Sequence, residues 1–446
     1  MTTATRTHLF DRRTFAAFAQ TLNEPQWLAE KRQAAWNIFE ETPMPSTSDE
    51  AWRRTSLKKV KWERFSPDVP PSVPPARTLN DLPDTLRRLL DADRPAAGRL
   101  LLVNGRVRYH EVDESVAGQG VLFTDLQTAV ARHPEQVQPH LMGRCVPPSD
   151  GKFAALNAAL WRNGVFLYVP AGVAVEHPFE VAILVDGEGV ASIHRTLIVA
   201  EEGAQVDYIE ETASTDEAHT ALNVGVTEII ARPESRVRYV DLQQLGHKVY
   251  NFNTKRALAE ADSNVLWDLG ETGSALTKTF LDTRLIGDGS NTECNGIYFL
   301  DGKQHVDLDT LMQHTGYATS GDLLLHGALR DRARAVFIGM IKIDPSGQLT
   351  NSYLKNQNLL LSDTARADSI PALEIDANDV RASHAATISQ VEEEYVFYLQ
   401  SRGIPREKAV HMIVEGFFET VFNRMGNERV RQRLTEAVAR KMVGLS

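Results

Sequence analysis

Apolar positions along this chain change their period twice, and the changes divide it. Phe10, Phe15, Phe18 and Leu22 recur at helical spacing, and Trp27, Leu28, Ala35 and Trp36 resume the pattern after Pro25. The first 65 or so residues therefore read as helical. Residues 66–78 carry Pro67, Pro70, Pro71, Pro74 and Pro75, which excludes a helix or a central strand and leaves a linker or an extended surface arm. A short helix is predicted over 82–90. A hairpin follows over 99–110, turning at Asn104-Gly105. Residues 153–162 return to helix, with Gly164 as its αL cap.

From about 165 to 389, apolar runs of four to seven residues alternate with Gly, Asp, Ser and Pro. A weak repeat is present there. Gly203-Ala-Gln-Val-Asp-Tyr208 resembles the stretches that start at Glu234 and Asp262, and those that start at Gly289 and Arg332 follow the same outline. Counted at Val206, Val237, Val265 and Thr292, the first four copies lie 31, 28 and 27 residues apart. That period in strands and turns predicts coiled parallel β-structure, whose coils each bury one apolar face on a neighbour and enclose a dry core. A β-sandwich or barrel is the structural alternative. After 390 the helical period returns. A helix over 392–399 stops at Gly403, Pro405 opens the next, and a last helix covers Glu428–Met442. Ala409, Met412, Ile413, Gly416, Phe417, Thr420 and Val421 fall on one face of the middle helix. The expected domains are thus 1–164, 165–389 and 390–446, a mainly β centre between helical ends.

Composition narrows the function. The 446 residues include 48 Lys and Arg against 59 Asp and Glu, a net charge of −11, which argues against nucleic acid or an anionic membrane as partner. No run approaches the length of a membrane span, and no apolar leader follows the start, so the cytoplasm is the expected compartment. The two cysteines, Cys145 and Cys294, supply neither a disulfide framework nor a thiolate metal site, and read as buried thiols.

No phosphate-cradling loop, nucleophile elbow or zinc-protease motif occurs, so no catalytic engine is legible. His305, His314 and His326, with Asp307 and Asp309, lie in the β-region but do not repeat with its period, which favours single structural roles. His384 stands apart, between the β-region and the helical tail, where an imidazole can bind iron or move a proton. Asp307 and Asp309 as paired acids would suit a β-helical polysaccharide lyase or hydrolase. A purely structural adaptor is the third reading.

Residues 372–388 (ALEIDANDVRASHAATI) and 395–404 (YVFYLQSRGI) resemble the SufB/SufD family of iron–sulfur assembly proteins. So do 49–56 (DEAWRRTS), 168–172 (YVPAG) and 350–362 (TNSYLKNQNLLLS). The short N-terminal part, without a cysteine-rich motif, is most like the D-type subunit. The resemblance implies a right-handed parallel β-helix flanked by helical domains, acting as a non-catalytic scaffold. It implies pairing with a SufB-type subunit through the β-helix and recruitment of a SufC-type ABC ATPase through Pro405, Met412, Ile413, Phe417 and Val421. A homodimer is the expected form in isolation. A transient iron–sulfur cluster or iron, shared with the B-type partner, would meet His384, and reduced flavin belongs to the assembled complex with no flavin site legible here. Ala382 stands where the family motif has Cys, so no thiolate is expected from this site.

Overall fold

The computed structural model of the chain describes residues 11–443; Phe10 lies outside the described residues. Two helices, Arg12–Gln20 and Gln26–Glu41, open the described chain. The Asp11 side chain caps the first by accepting from the Thr14 N–H at 3.0 Å, and the Phe15 and Trp36 rings stack at 4.8 Å to hold the pair together. Helix does not continue to residue 65. Beyond Glu41 only the 3₁₀ turns Glu50–Trp52 and Trp62–Arg64 interrupt irregular chain, because Trp52, Leu57, Val60 and Phe65 are buried against the β-region rather than along a helix face. The proline-rich stretch is a surface arm. Ser66 exchanges backbone bonds with Gly189 and Ala191, and the Ala76 N–H reaches the Arg108 carbonyl at 2.7 Å.

The hairpin forms as expected, with Gly98–Val103 antiparallel to Arg106–Val112 and positive φ at both Asn104 and Gly105. Its first strand then pairs in parallel with Phe179–Val185, so the hairpin seeds the stack that follows. The helix Lys152–Leu160 is buried at every position after its first. Gly164 is not its αL cap. It lies in the strand Asn163–Val169, where a Cβ would stand 1.7 Å from the Arg195 carbonyl oxygen, so close approach of two backbones, not a turn, requires glycine.

The centre is a parallel β-solenoid of about eight turns. Each turn gives one strand to a sheet of ten and one to a sheet of nine. Val206, Val237, Val265 and Thr292 stand in register on adjacent coils. So do Tyr208, Tyr239 and Trp267, whose rings follow one another at 5.3 Å. The fifth copy does not belong to this ladder, since Ala335 pairs with Val306 in the other sheet. At the corners, Gly203, Glu234, Asp262 and Gly289 all have positive φ, and the N–H of each bonds to the next coil. Left-handed backbone, rather than small size, is what these corners share.

The core is not dry throughout. One half of the lumen is apolar, running from Phe179 and Val181 past Val237 to Leu325 and Phe337. The other half carries Thr196, Glu210, Asp241 and Lys255, all buried. The Lys255 ammonium lies 3.0 Å from Asp241 and 3.8 Å from Glu210, and the Tyr239 hydroxyl donates to Glu210 at 2.8 Å. Alternation along each strand predicts which residues point inward but not that the partners meet across coils some 30 residues apart.

Candidate functional site

The two terminal strands of the solenoid, Arg366–Ile375 and Arg381–Gln390, are each hydrogen-bonded on one side only. Their outer edges present unpaired backbone groups over ten residues apiece. Pro371 lies within the first of them, a residue tolerated at an edge because it has no N–H to contribute.

Register explains what this end exposes. Leu323, Leu354 and His384 occupy one line through successive coils; the two leucines are buried in the lumen, whereas His384 is exposed. His384 is therefore the last rung of an inner ladder with no coil laid over it. Leu373 and Ile375 continue the lines of the buried Ile341 and Ile343, and Ile388 that of the buried Asn358. All three are more than a third exposed. A solenoid core without a capping element leaves its lining open to solvent, which is a surface that another molecule can cover. The sequence singles out His384 by its motif but gives no such mark to Leu373, Ile375 and Ile388. Extending the coil period to the last strand would have marked them as inward-facing.

The imidazole at this mouth has no hydrogen bond or ion pair among the described residues. Nothing assembles around it either: among the described residues no group of three His, Cys, Asp or Glu could hold a metal. One imidazole with Ala382 two residues before it is not by itself a metal site.

The C-terminal helices Glu393–Ser401, Arg406–Phe422 and Glu428–Met442 form where expected, with Pro405 at the N-cap of the second. The stripe of Met412, Ile413, Phe417 and Val421 is divided by packing. Val421 is fully buried with Val414 and Phe418 against Phe299 and Leu324 on the outer face of the solenoid. Ile413 and Phe417 are half-buried against the same cluster. Met412 alone of the four is exposed, together with Tyr395, Phe397 and Tyr398 on the preceding helix. Phe397 is 72% exposed. In that helix only Val396 is buried, so a run of consecutive large apolar residues leaves most of them outward. The run itself was the signal, since a single-turn face cannot bury neighbours in sequence.

The remaining sequence candidates are structural. Asp307 accepts from the buried Lys278 ammonium at 2.8 Å and from the Thr55 hydroxyl, and Asp309 lies 3.6 Å from the same ammonium. Two carboxylates sharing one buried lysine beneath the N-terminal segment are not an open acid pair for glycoside cleavage. His305 bonds to Thr55 at 2.8 Å, His314 to Thr319 and Ser352, and His326 to the Phe417 carbonyl; they do not converge. Cys145 and Cys294 are buried and unbridged, and burial pushes both thiols up, which keeps them unreactive. Among the described residues no helix is long and apolar enough to cross a membrane.

Comparison with known proteins agrees with this geometry. Residues 183–417 match the family model described as SUF system FeS cluster assembly, SufBD core domain, and residues 7–181 match the SufBD protein N-terminal region. The iron–sulfur cluster assembly protein SufD of Bacillus subtilis is 30% identical over 433 residues, covering 97% of this chain and 98% of that one. An iron–sulfur cluster assembly SufBD family protein of Staphylococcus epidermidis is 30% identical over 403 residues, covering 89% of this chain and 85% of its own. A solenoid left open at one end, two matching family regions that together span nearly all of it, and a SufD relative matched end to end place the chain in one family: it belongs to the SufBD family of iron–sulfur cluster assembly proteins.

Proposed function

We propose that this chain is a SufD-type scaffold subunit of the cytoplasm, which joins a SufB-type subunit end to end and docks a SufC-type ABC ATPase on its C-terminal helices. The observation that carries the reading is the uncapped end, where Leu373, Ile375 and Ile388 stand exposed around His384. A second solenoid laid on the two open edges would extend both sheets, gaining backbone bonds and covering the exposed lining. The ATPase surface is assigned to Tyr395, Phe397, Tyr398 and Met412, because these are exposed while Val421 is committed to the chain's own core. Iron or a nascent cluster is cargo at the junction. His384 supplies one imidazole, and the partner supplies the thiolates, since Cys145 and Cys294 are buried elsewhere.

The test is His384→Ala in a strain that expresses the assembly proteins together. The expected result is an intact complex with lower iron and acid-labile sulfide content. Unchanged cluster content with normal complex recovery would remove His384 from the chemistry and leave a structural adaptor.

A further inference from the structure

A concave corner of the solenoid, on the coils that precede the open end, has a charge opposite to that of the whole chain. Four strands of the nine-stranded sheet run side by side there, with Tyr250, Leu276, His305 and Arg334 in register at or next to their starts. Two residues before Tyr250, His305 and Arg334 stand Lys248, Lys303 and Arg332, all exposed. Parallel strands are spaced by about 4.8 Å, so these three cations lie along one corner within roughly 14 Å. Residues 54–65 form the facing wall and add Arg54, Lys58 and Lys59. The result is a cleft of about 570 Å³, next to a second hollow of about 300 Å³ that shares Lys59, Tyr250 and Ala275 with it and adds Lys61 and Arg64.

No carboxylate lines either hollow. Within 4.0 Å, no acidic group among the described residues pairs with Arg54, Lys58, Lys59, Lys248, Lys303 or Arg332. Other basic side chains at the margin are already engaged: Arg334 holds Asp368 at 2.9 Å and His247 lies 3.3 Å from Asp301. The facing wall is anchored from beneath. Lys278 donates to the Ala51 carbonyl at 2.8 Å, Thr55 bonds to His305 and Asp307, and Trp52 packs on Phe153, Phe252 and Phe280. The cleft is thus preformed. A concentration of like charge with no internal counter-charge costs free energy that a bound polyanion recovers, and a concave low-dielectric wall focuses the field.

We propose that this cleft binds a nucleotide-sized anion carrying at least two linked phosphates. Lysines and arginines set at corner spacing suit a chain of phosphate oxygens. Val60, Leu276 and the half-buried Tyr250 supply an apolar wall for a flat ring beside them. A plain acidic peptide would use the charges but not that wall. The site goes beyond the scaffold reading and does not rest on it.

Titration calorimetry on the full chain would use ADP, inorganic pyrophosphate, adenosine and a hexaglutamate peptide as probes. ADP and pyrophosphate are expected to bind, ADP more tightly, with adenosine giving no measurable heat. ADP affinity should fall several-fold between about 50 and about 300 mM salt. Lys59→Glu and Arg332→Glu should each weaken ADP at least about tenfold, a loss of about 1.4 kcal/mol, with the melting temperature unchanged because both residues are exposed. Absence of ADP binding, tighter binding of hexaglutamate than of ADP, or full affinity in both charge reversals would each overturn the proposal.

Discussion

The imidazole of His326 lies flat against the ring of Phe417, with centroids 4.5 Å apart, while its Nδ1–H donates to the Phe417 carbonyl at 2.8 Å. This places the second C-terminal helix on the outer face of the solenoid by one stacking contact and one hydrogen bond from a single side chain. The helix is thereby fixed relative to the strands that lead to the open end, and its other side, with Met412, is left exposed. His326→Ala should cost about 2 kcal/mol. It should also raise amide exchange over Arg406–Phe422 more than over the strands, as mass-spectrometric exchange would show.

In the polar half of the lumen, removing a charge should cost more than removing a hydroxyl. Tyr239→Phe deletes the bond to Glu210 and should destabilise the chain by about 1–3 kcal/mol. Lys255→Met leaves Glu210 and Asp241 buried without their cation and should cost about 3–5 kcal/mol. Denaturant unfolding of the two variants orders them.

Glu211 makes stability depend on pH. It accepts from Gln244 at 2.6 Å and lies 3.4 Å from Arg433 on the last helix, yet burial, with the neighbouring Glu180 adding to it, holds its carboxyl up at about 7. The folded chain keeps this proton where the unfolded chain has lost it. Its contribution is therefore fully present below about 4.5 and disappears as pH rises through about 7. The window corresponds to about 3 kcal/mol. Glu211→Gln should flatten the decline in melting temperature across that range; an unchanged slope would assign the decline to other groups.

Gly164→Ala should prevent folding or leave the chain insoluble, because the new methyl group would meet the Arg195 carbonyl and neither backbone is free to move. Gly172→Ala, at a corner with φ of +71° but open space around the Cβ position, should cost only about 1 kcal/mol. Soluble expression levels separate the two.

Much of this architecture was written in the spacing of a few residues. Val206, Val237, Val265 and Thr292 carried the coil period because each is an inward position on the same sheet, where burial demands a similar side chain in each coil. The outline misled at Arg332, since both sheets begin their strands with similar chemistry and a short pattern does not say which sheet it enters. The polar lumen was hidden for a different reason: Glu210 and Lys255 satisfy each other only after two coils have stacked. On the helix Arg406–Phe422, apolar residues occupy two overlapping faces, and nothing local decides which of them, Met412 or Val421, meets the solenoid. Leu373, Ile375 and Ile388 read as ordinary strand residues until the lack of a following coil turns them into surface.

The open end is tested most directly by the affinity for a SufB-type subunit, measured by analytical ultracentrifugation with the unaltered chain and with Leu373→Lys/Ile388→Lys. Both positions are already exposed, so the double variant should keep its melting temperature. It should lose at least about a hundredfold in affinity, corresponding to about 3 kcal/mol from two buried charges. Equal affinity of the two proteins for that subunit would contradict end-to-end pairing.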